Sequence, residues 1–145
     1  MAIQRVFYNV LSADLAAARR FYCGLLELSV RFDSDWFVHV GVAGNEGLEI
    51  GLLARDHALV PEAWRGAPRG AVLTVVVDDV DRIHEQARAA GVEVVEPPTD
   101  QFYGQRRLLL RDPDGTLVDL SSECAPDPAW LAKVQPIEGG GYREG

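Results

Sequence analysis

Leu48-Glu49-Ile50-Gly51-Leu52 and Leu117-Val118-Asp119-Leu120-Ser121 are alternating segments, each with one carboxylate among mostly apolar residues. Each closes a stretch of the same make-up. Residues 1–53 and 70–122 both read as a strand, an amphipathic helix and further strands. The chain reads as a duplication. Side chains along a strand alternate between its two faces, so Glu49 and Asp119 each have a defined facing. Two half-sheets wrapped around one cavity would turn both acids into it, and that facing is the expectation behind every site assignment that follows.

Working outward, Arg5 to Leu11 is strand-like, with Phe7, Asn9 and Leu11 on one face and Val6, Tyr8 and Val10 on the other. Ser12 or Asp14 can cap the next helix by accepting orphan backbone N–H groups. Leu15, Ala18, Tyr22 and Leu25 fall on one helical stripe, and Gly24 suits its end. Trp36 to Val42 reads as a strand joined to the Glu49 segment by the turn Gly44-Asn45-Glu46-Gly47. In the second half, Ala71 to Val77 is rich in β-branched residues. Asp78-Asp79 opens a helix with Val80, Ile83, Ala87 and Ala90 on one side, ended by Gly91. Val92 to Val95 reads as a short strand stopped by Pro97-Pro98. Arg106 to Arg111 is another, and Asp112-Pro113-Asp114-Gly115 turns it into the Asp119 strand, Thr116 to Ser122.

The fold class is therefore α+β, with two tandem modules of a strand, a helix and further strands. The first module spans 1–53, an inter-module segment 54–69, the second module 70–123 and a C-terminal tail 124–145. The inter-module segment holds Pro61, Gly66 and Pro68, and its Trp64 is expected to pack on the body or on a partner. The tail is expected to be a short helix around Trp130-Leu131 followed by loose chain.

A length of 145 residues suits one structural unit, and 48% apolar with 25% charged residues is ordinary globular composition. No apolar run is long enough to span a bilayer. The N-terminus goes straight into a strand-like pattern, so a cytoplasmic location is the expectation. Cys23 and Cys124 lack metal-like spacing and read as free thiols. A net charge of −8 argues against nucleic acid, whose phosphates need a basic surface.

Beyond these residue-level readings, the duplicated layout resembles a known family. Ala13-Asp14-Leu15 leading to Phe21-Tyr22 and Gly24-Leu25, with Tyr103-Gly104-Gln105-Arg106 before Asp112-Pro113-Asp114-Gly115, is similar to the vicinal-oxygen-chelate superfamily. That group includes glyoxalase I, extradiol dioxygenases and the fosfomycin and bleomycin resistance proteins. The resemblance covers about residues 3–123. It implies two tandem βαβββ modules whose curled mixed sheets enclose a ligand cleft and, in metal-dependent members, ligands from the first and last strand of each module. Carried over by register, those positions are Phe7, Glu49, Val72 and Asp119. Two are acids and two are hydrocarbon.

A catalytic divalent metal normally needs three protein ligands and an open position. Glu49 and Asp119 supply two, and His39 is the only histidine placed to add a third; His57 falls between the modules and His84 on a solvated helix face. No conventional metal centre is therefore expected, with a divalent ion on Glu49, Asp119 and His39 as the alternative. Candidate ligand-binding residues are Phe7, Trp36, His39, Glu49, Val72, Tyr103, Arg106 and Asp119. Phe37 and Phe102 add to the aromatic complement, and Arg106 and Arg107 are plausible partners for Asp119.

Three functions stay open. The first is a binder that sequesters an aromatic or cationic small molecule, similar to bleomycin resistance proteins and expected to act as a homodimer. The second is a metal-dependent lyase, isomerase or dioxygenase. The third is a metal-free enzyme with Glu49 or Asp119 as general base. No glycine-rich phosphate loop or nucleophile elbow supports another chemistry.

Overall fold

The computed structural model describes residues 1–145. Two four-stranded mixed sheets carry the fold, as the duplication requires. In the first module, β1 (Tyr8–Ser12) lies parallel to β4 (Asn45–Ala54), followed by β3 (Phe37–Val42) and β2 (Ser29–Asp33). In the second, β5 (Val72–Val76) lies parallel to β8 (Leu117–Glu123), followed by β7 (Gln105–Arg111) and β6 (Glu93–Asp100). The order β1-β4-β3-β2 is repeated as β5-β8-β7-β6.

Both crossover helices begin where a carboxylate satisfies an orphan N–H. Asp14 accepts from Ala17 at α1 (Leu15–Arg19), and Asp79 from Arg82 at α2 (Val80–Ala89). After five residues α1 widens into a π-helical segment, Arg20–Leu25, which buries Phe21, Tyr22 and Leu25. The helices cover one face of each sheet and together make a single core. Val10, Val38, Val40 and Leu52 of the first module meet Val80, Ile83, Leu108, Leu110, Val118 and Leu120 of the second in that cluster. Buried Tyr22 fastens the modules across it, its hydroxyl donating to Asp112 Oδ2 at 2.8 Å. Asp114 Oδ1 adds a second tie by accepting from the Ala13 amide at 2.7 Å.

One consequence departs from the expected enclosure. With the helix-side faces buried in a shared core, the opposite faces turn outward separately, and no strand of one sheet pairs with the other. The two sheets do not close into one barrel, and the cavity that both modules line, between Gly41, Leu48 and Ile50 on one side and Leu73 to Val76 on the other, lies at their edges.

Several element boundaries also differ from the sequence reading. Ser29–Asp33 is a strand that the apolar pattern hid, because a bulge between Val30 and Phe32 breaks its alternation. Strand β6 runs through Pro97-Pro98 instead of stopping there. It is an edge strand whose pairing with β7 shifts register between Glu96 and Thr99, so the missing N–H groups cost no ladder bond. The tail is not loose: after α3 (Pro128–Leu131) it forms the hairpin β9 (Val134–Pro136) and β10 (Tyr142–Glu144). Trp64, in a 3-10 turn, is 73% exposed and does not pack on the body, since that turn projects from the surface.

Candidate functional site

Buried Val38, Val40, Ile50 and Leu52 fix which side of the first sheet meets the helices. Alternation then sends Phe37, His39, Gly41, Glu49 and Gly51 to the open side. The bulge in β2 makes Arg31 the extra residue and sets Phe32 opposite His39 on that side. From β1 and its approach come Arg5, Phe7 and Asn9. Two glycines let large side chains lie close to the strands. A Cβ at Gly41 would meet the Arg31 guanidinium carbon at 2.4 Å, and one at Gly51 would meet Asn9 Oδ1 at 2.0 Å and the Phe37 ring at 2.6 Å.

The result is a chain of aromatic contacts across the face. The His57 and Trp36 rings stack with centroids 4.8 Å apart, and Trp36 stacks on Phe37 at 5.6 Å. Phe37 continues to His39 at 6.3 Å, and His39 to Phe7 at 5.8 Å. Phe32 flanks Phe37 at 6.3 Å, and the Arg5 guanidinium lies 4.6 Å above the Phe7 ring.

Glu49 sits at one end, its side chain only 4% exposed. It accepts from Arg5 Nε and from Arg5 Nη2 (2.5 Å), from Arg31 Nη1 (3.3 Å), and it meets His39 Nε2 at 2.6 Å. Three of those contacts fall on Oε2 and one on Oε1, so two guanidinium groups meet the single negative charge. The Arg5 hydrogen bonds, aided by His39, hold its pKa down to about 2. Arg31 also donates to the carbonyls of Val42, Asn45 and Glu46 and so secures the β3–β4 hairpin.

The second sheet presents a different surface. Thr74 and Asp119 are paired neighbours on its open side, with exposed Val72 and Val76 flanking Thr74. Asp119 accepts from Ser121 Oγ at 2.9 Å and from Thr74 Oγ1 at 3.5 Å. Its expected arginine partners are engaged elsewhere. Arg106 is one residue out of phase with Asp119's neighbour Arg107 and reaches Asp81 (2.8 and 2.9 Å) and Asp100 (2.9 Å), which raise its pKa. Arg107 donates to Glu96 at 3.1 Å. Tyr103 lies in the β6–β7 loop, edge-on to Phe102, which packs in turn against Trp130.

Of the residues singled out from sequence, Phe7, Trp36, His39 and Glu49 come together. Val72 and Asp119 lie on the other sheet, Tyr103 in a loop of that module, and Arg106 in the α2 ion-pair network. The cleft around Glu49, Arg5, Arg31 and His39 is lined by first-module residues, while a second, apolar cavity sets Glu49 beside Leu73, Thr74, Val75 and Val76 of the second module; Asp119 lines neither. Sequence reasoning missed Arg5 and Arg31. Alternation from Arg5 to Leu11 puts Arg5 on the face of Phe7 but names no partner for it, and Arg31 rides on the bulge, where alternation gives no face.

A sequence model of the Glyoxalase/Bleomycin resistance protein/Dioxygenase superfamily matches residues 4–120. The chain belongs to this superfamily. Among solved structures, a superfamily member from Sphaerobacter thermophilus DSM 20745 is 25% identical (TM-score 0.67), the match covering 83% of this chain and 98% of that one. TnmS3, an antibiotic binding protein from Streptomyces sp. CB03234, is 26% identical (TM-score 0.64), covering 85% and 98%. A glyoxalase-related enzyme from Fulvimarina pelagi, at 18% identity and TM-score 0.68, shares the fold over 97% of this chain and 98% of its own. No curated protein matches the sequence.

The superfamily includes metal-dependent enzymes, so the donor set bears a direct test. No three His, Cys, Asp or Glu side chains gather as a metal site would need. Phe7 and Val72 offer no lone pair, and a cation on Glu49 would have to displace the guanidinium of Arg5 while facing that of Arg31. These residues do not fit the metal. A carboxylate held at about 2 and already accepting from several donors is also a poor proton acceptor at neutral pH, so Glu49 does not suit a general base.

Proposed function

We propose that this protein is a small-molecule binder of the glyoxalase/bleomycin-resistance type, sequestering an aromatic ligand without a metal centre. The observation that carries the reading is the ring strip His57–Trp36–Phe37–His39–Phe7 on the open face of the first sheet. Aromatic surface with a few fixed polar groups at one end is what small-molecule sites commonly offer. Phe7 is exposed and Trp36, Phe37, His39 and His57 are half-buried, so part of the strip stays open to a ligand. The likeness to an antibiotic binding protein supports the same reading.

A homodimer fits this proposal. Each chain leaves both outer sheet faces open, with Phe7, Val72 and Val76 exposed, and a second copy laid across them would deepen the binding face into a cleft. Sedimentation at micromolar concentration tests the dimer independently of the ligand.

The ligand test is calorimetric titration with a neutral flat probe, naphthalene-2-carboxamide. Saturable binding that weakens about three- to tenfold in Trp36→Ala or Phe37→Leu is the expected result, in line with one lost stacking contact of about 1 kcal/mol. Binding unaffected by both substitutions would refute the strip as the site.

A further inference from the structure

The proposed ligand strip ends in a charged cluster whose composition restricts what the ligand can carry. Two guanidinium groups, Arg5 and Arg31, converge on one carboxylate, Glu49. Glu49 accepts from both and contacts His39, so two guanidinium groups already balance its charge before any ligand cation arrives. Arg31 is spent on Glu49 and on three backbone carbonyls.

Arg5 differs. Its Nε and Nη2 are bound, but its Nη1 has no partner, and the group is half-exposed above the Phe7 ring that ends the strip. The other acid lining this cleft, Glu46, belongs to the exposed β3–β4 turn, and its side chain makes no hydrogen bond to the cluster. A charged group arriving along the rings therefore meets an N–H donor on a cation first.

We propose that the ligand is a planar aromatic compound bearing an anionic group, carboxylate or phenolate, with its ring on Phe7, His39, Phe37 and Trp36 and its charge at Arg5 Nη1. The inference rests on the reading of this face as a ligand site and adds a selectivity to it. It also sets aside a cationic ligand on this sheet, because the acid that would have received it is already neutralised. Arg5 is fixed for this role by Glu49 on one side and by the Phe7 ring beneath it. A guanidinium already held in place loses less freedom when it takes up an anion than a free one would.

The test compares three probes of one ring system by calorimetry at pH 7.5 on the full chain: 2-naphthoate, neutral naphthalene-2-carboxamide and cationic 2-naphthylmethylammonium. The expected order is naphthoate tightest by about tenfold, then the amide, then the cation. Arg5→Gln should erase the preference for naphthoate over the amide, while Arg5→Lys should keep part of it. The readout is the ratio of the two affinities in each variant, so a general weakening of the face does not mimic the loss of preference. Equal affinities for acid and amide, or a preference for the cation, would overturn the inference and leave the aromatic site standing. Failure of all three probes to bind would overturn the site and the inference together.

Discussion

The Phe37 ring occupies the space that a side chain at residue 51 would need. A Cβ on Gly51 would stand 2.6 Å from Phe37 Cε2 and 2.0 Å from Asn9 Oδ1. The Asn9 side chain can swing aside, but Phe37 cannot yield cheaply because it is held between Trp36 and His39. Gly51→Ala is therefore expected to destabilise the fold by about 1–3 kcal/mol, the usual penalty of overpacking. It should also lift Phe37 and weaken binding of the naphthalene probes. Gly47→Ala is the control, since its Cβ would meet only Asn45 Oδ1, at an ordinary 3.6 Å. Equal stability of the two variants in urea would contradict this packing.

Acid should release the Glu49 cluster in a defined window. The folded-state pKa of about 2 lies below the ordinary 4.5, so the carboxylate stabilises the native state fully above roughly pH 4.5. That stabilisation fades as pH falls through the folded value. Glu49→Gln is expected to lower the urea midpoint at pH 7, with the gap to wild type narrowing by pH 3. A gap that stays constant from pH 7 to pH 3 would contradict the assignment.

Tyr22 and Asp112 tie the two modules. Tyr22→Phe removes a buried hydroxyl that donates to a carboxylate and should cost about 1.5–3 kcal/mol in equilibrium unfolding. Asp112 keeps its bonds from the Asp114 and Thr116 amides, so the β7–β8 turn itself should persist. A change under about 0.5 kcal/mol would mean that this tie is not what joins the modules.

Divalent ions should leave the protein unaffected. A native-state ligand raises the melting temperature by mass action. Because Arg5 and Arg31 already satisfy Glu49, millimolar Mn²⁺, Ni²⁺ or Zn²⁺ is expected to give no saturable rise. A rise that EDTA reverses would favour the metal-dependent alternative.

Much of this architecture was legible because local signals agree with the tertiary fold. Asp79, the Val80–Ile83–Ala87 stripe and Gly91 bound one helix as a sequence reader would draw it, and the alternation around Glu49 and Asp119 holds in the sheets. The bulge at Arg31 and the edge-strand prolines hid β2 and the far half of β6, since neither follows a strict period of two. The way the two modules pack together did not follow either. Which faces the modules bury against each other is decided by core packing between distant segments, and that core takes the helix side. The partners of Glu49 were illegible for a related reason: Arg5 lies 44 residues away, and only the pairing of distant strands brings the two together.

The most direct test of the account is amide chemical-shift mapping of uniformly labelled protein titrated with 2-naphthoate. Shifts concentrated at residues 5–9, 36–39 and 49–53 are the predicted result. Shifts confined to the second sheet around Val72 and Asp119, or none at saturating probe, would contradict it.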